Sequence, residues 1–244
     1  MTDYSTTLLV DGFAYGEGPR WHDGRLWFTD GMAGAVNVVE DGQIRRVADV
    51  PHASGLGWLA DDTMVVSASL EAAITQIGAT STVRHELGHL AWSTNDMVAF
   101  DDRVYVDLYR FTDAGMVGSI ALVMSEGEAR VVADELALPN GLVVTPDGST
   151  LLASESDGER VLAFTIDDDG GLLDKRVFAA LPGRKPDGLC LDAEGALWGG
   201  CYDTGEFLRV RDGGEERCST GSRCRRAGPS PRRSVAPTGG PGTW

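Results

Sequence analysis

Glu17, Ser54, Asn95, Asn140 and Asp187 each open one of five segments that share a grammar. The segments are EGPRWHDGRLWFTD (17–30), SGLGWLADDTMVVSAS (54–69), NDMVAFDDRVYVDL (95–108), NGLVVTPDGSTLLASE (140–155) and DGLCLDAEGALWGGCY (187–202). Two carboxylates and two amide oxygens, if gathered at one point, make a hard oxygen-rich pocket. Such a pocket suits Ca²⁺, Mg²⁺ or Mn²⁺ rather than a thiolate-bound metal. Zn²⁺ also fits where carboxylate ligands leave a position open. Glu17, Asn140 and Asp187 each precede a glycine, and Pro139 and Pro186 stand before two of them. Each lies ahead of its segment's own turn instead of forming it, which argues for more than turn chemistry.

A second string competes for attention. Residues 85–89 read H-E-L-G-H, the pattern that places two zinc-ligating histidines one helical turn apart. That chemistry needs a long helix and a third ligand downstream. The flanking TSTVR is rich in β-branched residues, a glycine sits inside the motif, and position 95 is Asn where a third histidine would fall. His85 and His89 are therefore expected in a connection between repeat units, without catalytic zinc.

The elements that must position the five openings follow from the repeat. Most segments give a short apolar strand, an acidic turn (HDG, ADD, DDR, PDG, AEG) and a second strand. Asp-Gly and its relatives are strong hairpin signals. The openings recur at roughly 40–47 residues, a period that fits propeller blades of four strands. Runs such as GAVNVVE (34–40), QIRRVADV (43–50), GSIALVM (118–124) and RVLAFTID (160–167) supply further strands. No long amphipathic helix is visible. The class is all-β, with a sandwich as the alternative that requires no period. In a propeller the innermost strands line one central channel, so residues that open each repeat meet at one mouth.

The set EGP…W (17–21), ND (95–96), LPNGL…PDG (138–148) and PDGLCLDAEGALW (186–198) resembles the gluconolactonase/regucalcin (senescence marker protein) family, from about residue 10 to about residue 213. The resemblance implies a six-bladed β-propeller with one divalent cation at its centre, Ca²⁺ first, with Zn²⁺, Mg²⁺ and Mn²⁺ as alternatives. It implies Glu17, Asn140 and Asp187 as metal ligands, Asn95 beside the metal in contact with it or with substrate, and Asp187 as the catalytic carboxylate. The implied activity is metal-dependent hydrolysis of a lactone, foremost a sugar-acid lactone such as an aldonolactone. A non-catalytic calcium-binding or ligand-sensing propeller is the alternative. Two departures stand out. Position 93 is Ser where members that open sugar lactones carry Arg, and only Asp107 or Asp113 stands near the place of the family's substrate-binding acid.

The net charge of −16 argues against nucleic acid as partner. No apolar run is long enough to span a membrane, and the start MTDYSTTLLVDG lacks a leader pattern, so a cytoplasmic setting is expected. Cys190, Cys201, Cys218 and Cys224 form neither a zinc-like pairing nor a disulfide framework. The charge is unevenly spread. Residues 215–244 hold six Arg and two Glu, leaving 15 basic and 35 acidic residues before them. The expected division is a propeller of about five blades over 1–213 and a disordered or out-of-frame tail over 214–244, the last blade being incomplete or missing. A frame shift near residue 215 would explain the change of composition, and the neighbouring reading frame of the gene tests it. An open ring would leave strand edges free for oligomerisation.

Overall fold

The computed structural model describes residues 7–78, 82–113, 115–124, 128–214 and the strand at 216–220. Among these residues there are strands and turns and no helix, so nothing resembles a membrane-crossing helix. Twenty strands form five antiparallel sheets of four, each a sequence-consecutive meander. Blade one comprises β1 (Gly16–His22), β2 (Arg25–Asp30), β3 (Ala35–Glu40) and β4 (Gln43–Asp49). Blade two comprises β5 (Ala53–Trp58), β6 (Met64–Ala68), β7 (Ala73–Ile77) and β8 (Thr82–Glu86). Blade three has β9 (Ser93–Phe100), β10 (Arg103–Thr112), β11 (Gly115–Met124) and β12 (Arg130–Leu136). Blade four has β13 (Pro139–Val144), β14 (Thr150–Glu155), β15 (Arg160–Ile166) and β16 (Leu172–Ala180). Blade five has β17 (Pro186–Leu191), β18 (Leu197–Cys201), β19 (Glu206–Val210) and β20 (Glu216–Thr220).

The turns behave as their sequences demand. In the β1–β2 hairpin both Asp23 (φ 49°) and Gly24 (φ 69°) lie in the left-handed region, the geometry of a primed turn. Both faces of the middle strands are covered in blades two, three and four, each of which packs between two others, while blades one and five have one neighbour each. Four apolar clusters form in this way. One joins Val65 and Ile74 of blade two to Val104, Val106 and Leu108 of blade three. Another joins Tyr105 and Ile120 of blade three to Leu142, Leu151 and Phe164 of blade four.

The inner strands neighbour one another in the order β1, β5, β9, β13, β17. Among the described residues β17 does not pack on β1 in the same way. The five blades thus form a β-propeller with an open side, where a closed six-bladed ring has one more. Trp21 of β1 is 71 % exposed, and Cys190 and Phe207 of blade five are exposed too. Strand β20 pairs with β19 inside the segment expected to be tail. An outermost strand is held by main-chain hydrogen bonds, so the polar sequence ERCST suffices. The rest of that segment, 221–244, lies outside the described residues, as does Cys224.

Candidate metal centre

Every inner strand is interrupted at the same place. The pairing register slips between Glu17 and Arg20, between Ala53 and Leu56, between Pro139 and Leu142, and between Pro186 and Leu189. In blade three the slip leaves Asn95 and Asp96 opposite the single residue Asp107. Ser54, Asn95, Asn140 and Asp187 sit in these bulges, and Glu17 immediately precedes the one in β1. A bulge re-aims a side chain out of the pleat, here at one end of the inner strands.

The glycines beside them let the strands approach. A Cβ on Gly141 would lie 2.3 Å from the Asp187 carbonyl oxygen, and one on Gly55 would lie 2.5 Å from the Met97 nitrogen. No larger residue fits either place, so the glycines after Ser54 and Asn140 have a packing cause, while Gly188 after Asp187 meets nothing.

Hydroxyls on the second strands then tie each blade to the next. Thr29 Oγ1 donates to the Ser54 carbonyl (2.5 Å), Ser67 Oγ to the Asn95 carbonyl (2.5 Å) and Ser154 Oγ to the Asp187 carbonyl (2.9 Å). Blade three has Asp107 at the matching position, opposite its own bulge. Asp107 is 0 % exposed and its Oδ1 has no hydrogen-bond partner among the described residues. Burial, then the charge of Asp96, pushes its carboxyl well above the usual range. In the neutral form it carries a hydroxyl, as its Thr and Ser counterparts do. The neighbouring phenol Tyr109 Oη donates to the Pro139 carbonyl at 2.5 Å and has Asp107 Oδ2 as a second, longer acceptor at 3.4 Å.

The candidate residues meet as follows. Asn95 Nδ2 donates to Asn140 Oδ1 at 3.0 Å and lies 3.5 Å from Tyr109 Oη, while Asn95 Oδ1 accepts from Ser54 Oγ at 2.9 Å. Glu17 is raised from 4.5 to about 7 by burial, then by the charge of Asp187, against a bond from Tyr15, with Asp96 adding to the rise. Asp187 is raised from 3.8 to about 6 by burial and by the charge of Asp96, against a bond from the Gly188 main chain. Two carboxylates that resist ionisation beside an amide pair offer hard oxygens, with no ion-pair partner for either carboxylate among the described residues. Such donors would suit a divalent cation, with Glu17, Asn140 and Asp187 as the candidate holders.

Asp96 has a different task. Its Oδ1 accepts from Arg20 Nη2 (3.2 Å) and from the Met97 main chain (2.8 Å), and its Oδ2 accepts from the Leu142 N–H (3.3 Å). It pins three inner strands together. Asp96, Arg20 and Tyr109 carry no sequence signal as a set, because their partners lie on other blades. Asp107 did carry one: a carboxylate in the otherwise apolar VYVDL of a middle strand. It lies under Tyr109, out of reach of a substrate, and Asp113 is exposed in the turn after β10.

The HELGH segment forms no helix. His85 lies on outermost strand β8, paired with Ile74, and His89 follows in an exposed connection. Burial, then Arg84, lowers the His85 imidazole. Among the described residues the one trio of His, Asp or Glu with ligand atoms within 4.8 Å is His22, Asp23 and Asp62, at the opposite end of the inner strands.

The family model described as SMP-30/Gluconolactonase/LRE-like region matches residues 15–223. The chain belongs to this family. It is 31 % identical over 103 residues to a 6-deoxy-6-sulfogluconolactonase of Pseudomonas putida, covering 40 % of the chain and 35 % of the relative. It is 35 % identical over 80 residues to regucalcin of Danio rerio, covering 32 % of the chain and 27 % of the relative. The chain thus matches about a third of the length of these curated relatives. Among solved structures, a gluconolactonase of Xanthomonas campestris superposes with a TM-score of 0.73 at 26 % identity, covering 85 % of this chain and 76 % of that one. A calcium-binding regucalcin of Agrobacterium tumefaciens superposes at 0.72 with 20 % identity, covering 85 % and 74 %, a likeness of fold.

Proposed function

We propose that this chain is a divalent-metal-dependent hydrolase that opens a lactone, with a sugar-acid lactone as the first class to test and Ca²⁺ as the first ion. The observation that supports this reading is the electrostatic influence of Asp187 on Glu17, from the last blade to the first, with Asn95 hydrogen-bonded to Asn140 at 3.0 Å. When bound, the cation would polarise the lactone carbonyl and offset the charge that develops on its oxygen.

The chain's own residues supply the rest. Asp187, half-buried and titrating near 6, is ionised at neutral pH and can take a proton from water. The water oxygen bonds to the carbonyl carbon, the ring C–O bond breaks, and the departing oxygen takes up a proton to give a hydroxy acid. Asn95 can present its amide to the substrate, oriented by Ser54 and Tyr109. The open side of the ring supports a six-bladed type that lacks its last blade, and its free edges suit pairing with another copy.

The test is gluconolactone hydrolysis followed by acid release, with EDTA and then each cation. Activity restored by one cation and lost in Asp187→Asn, with partial retention of metal binding, is expected. A purely calcium-binding or sensing propeller would bind the ion without hydrolysing any lactone.

A further inference from the structure

Blade three differs from its neighbours in one dimension. Its middle strands β10 and β11 have 10 residues each, against 5 to 7 for the corresponding strands of the other blades. The excess lies at the end that holds Asn95. Strand β9 stops pairing at Ser93 with Tyr109, and β12 stops at Leu136 with Gly118. Beyond that, residues 110–112 pair only with 115–117. Three more residues of strand raise the hairpin about 10 Å above the mouth of the channel.

The raised part is apolar. Phe111 and Met116 are direct cross-strand partners, 65 % and 48 % exposed. The Trp92 ring, 58 % exposed, lies 5.3 Å from that of Phe111. An exposed trio of this size has no packing reason among the described residues, none of which covers it. It stands beside the candidate centre. Asp107, Tyr109 and Phe111 alternate along one face of β10, from fully buried to the rim, and Tyr109 Oη reaches Asn95. Phe111 begins about 7 Å further along the strand.

The polar groups of the wall are already engaged. Arg110 holds both oxygens of Asp134 (2.7 and 2.8 Å), and Thr112 Oγ1 donates to the Gly115 carbonyl (2.9 Å). The wall therefore offers apolar surface and little to bond a sugar hydroxyl. We infer that the β10–β11 hairpin is a specificity wall, with Phe111, Met116 and Trp92 receiving the alkyl or aryl substituent of a lactone whose ester group lies at the oxygen-rich centre. This rests on the lactonase reading and narrows its substrate to an amphipathic lactone.

The experiment compares kcat/KM for unsubstituted δ-valerolactone, δ-undecalactone and gluconolactone, in the wild type and in Phe111→Ser and Phe111→Ser/Met116→Ser. All three wall residues are exposed, so their replacement removes no core contact, and far-ultraviolet circular dichroism checks that the variants fold. The wild type should favour δ-undecalactone, and the variants should lose about tenfold or more on it, mainly through KM, while the other two substrates stay unchanged. Equal effects on all three substrates, or none on δ-undecalactone, would overturn the wall. If no lactone is turned over with any cation, the lactonase reading fails separately. The wall is then read by binding: δ-undecalactone should shield Trp92 emission, assigned by difference with Trp92→Phe, from acrylamide. Absence of shielding overturns the inference in that case too.

Discussion

Replacing Glu17 with Gln should make the metal-free protein more stable at pH 8, although it removes a proposed ligand. The unfolded carboxyl releases its proton near 4.5 and the folded one near 7. Between those values unfolding releases a proton, so stability falls as pH rises and the loss is complete above 7. Below 4.5 both states are protonated and nothing is lost. The full shift corresponds to about 3 kcal/mol, which residual solvent contact reduces to about 2 kcal/mol. For a domain of this size that amounts to about 4–8 °C in Tm. Asp187 adds a loss of the same sign between 3.8 and about 6. Thermal unfolding in EDTA at pH 5 and pH 8 measures the effect. The wild type should lose stability between the two, and Glu17→Gln should lose less and melt higher at pH 8. A cation at a hundred times its Kd should then stabilise the wild type by about 2.7 kcal/mol and the variant by far less. A variant that melts below the wild type in EDTA at pH 8, yet still responds fully to the cation, would refute the crowding argument.

Gly141→Ala should cost about 3 kcal/mol and weaken cation binding, because its Cβ would meet the Asp187 carbonyl at 2.3 Å; urea unfolding and calcium titration report the two effects. Asp107→Ser installs the hydroxyl that blades one, two and four carry at this position, so it should hold or raise stability at pH 8, as urea unfolding would show. His85→Ala should leave lactone hydrolysis unchanged, since β8 is the outermost strand of its blade; a loss of activity would revive a role for the HELGH string. Glu155→Gln should destabilise by about 1–3 kcal/mol without changing the cation response, because Glu155 is buried with Arg160 and the Ala137 N–H as its partners and bonds none of the proposed ligands.

The fold was legible because its information is periodic. Five openings, five acidic turns and the strand runs between them each report on a local segment. The places of Glu17, Asn140 and Asp187 at the starts of inner strands follow from the same period. The bulges were not visible, since a register slip depends on two strands at once. The Thr29, Ser67 and Ser154 bonds were hidden for a similar reason, as each hydroxyl serves the main chain of the next blade. Strand β20 escaped notice because ERCST has no apolar alternation, which an outer strand does not need. Asp107 shows the limit from the other side: its oddity in VYVDL was plain, but only the packing reveals that it lies beneath the mouth and not in it.

The open side of the propeller gives the centre a mechanical meaning. Glu17 stands on the first blade and Asp187 on the last, at the two lips of the gap. An ion held by both would be a clasp between distant parts of the chain, doing for the ring what a closing blade does elsewhere. Affinity for the ion and the width of the gap would then be a single variable. A second molecule that wedges the lips apart would expel the ion, and one that presses them together would retain it.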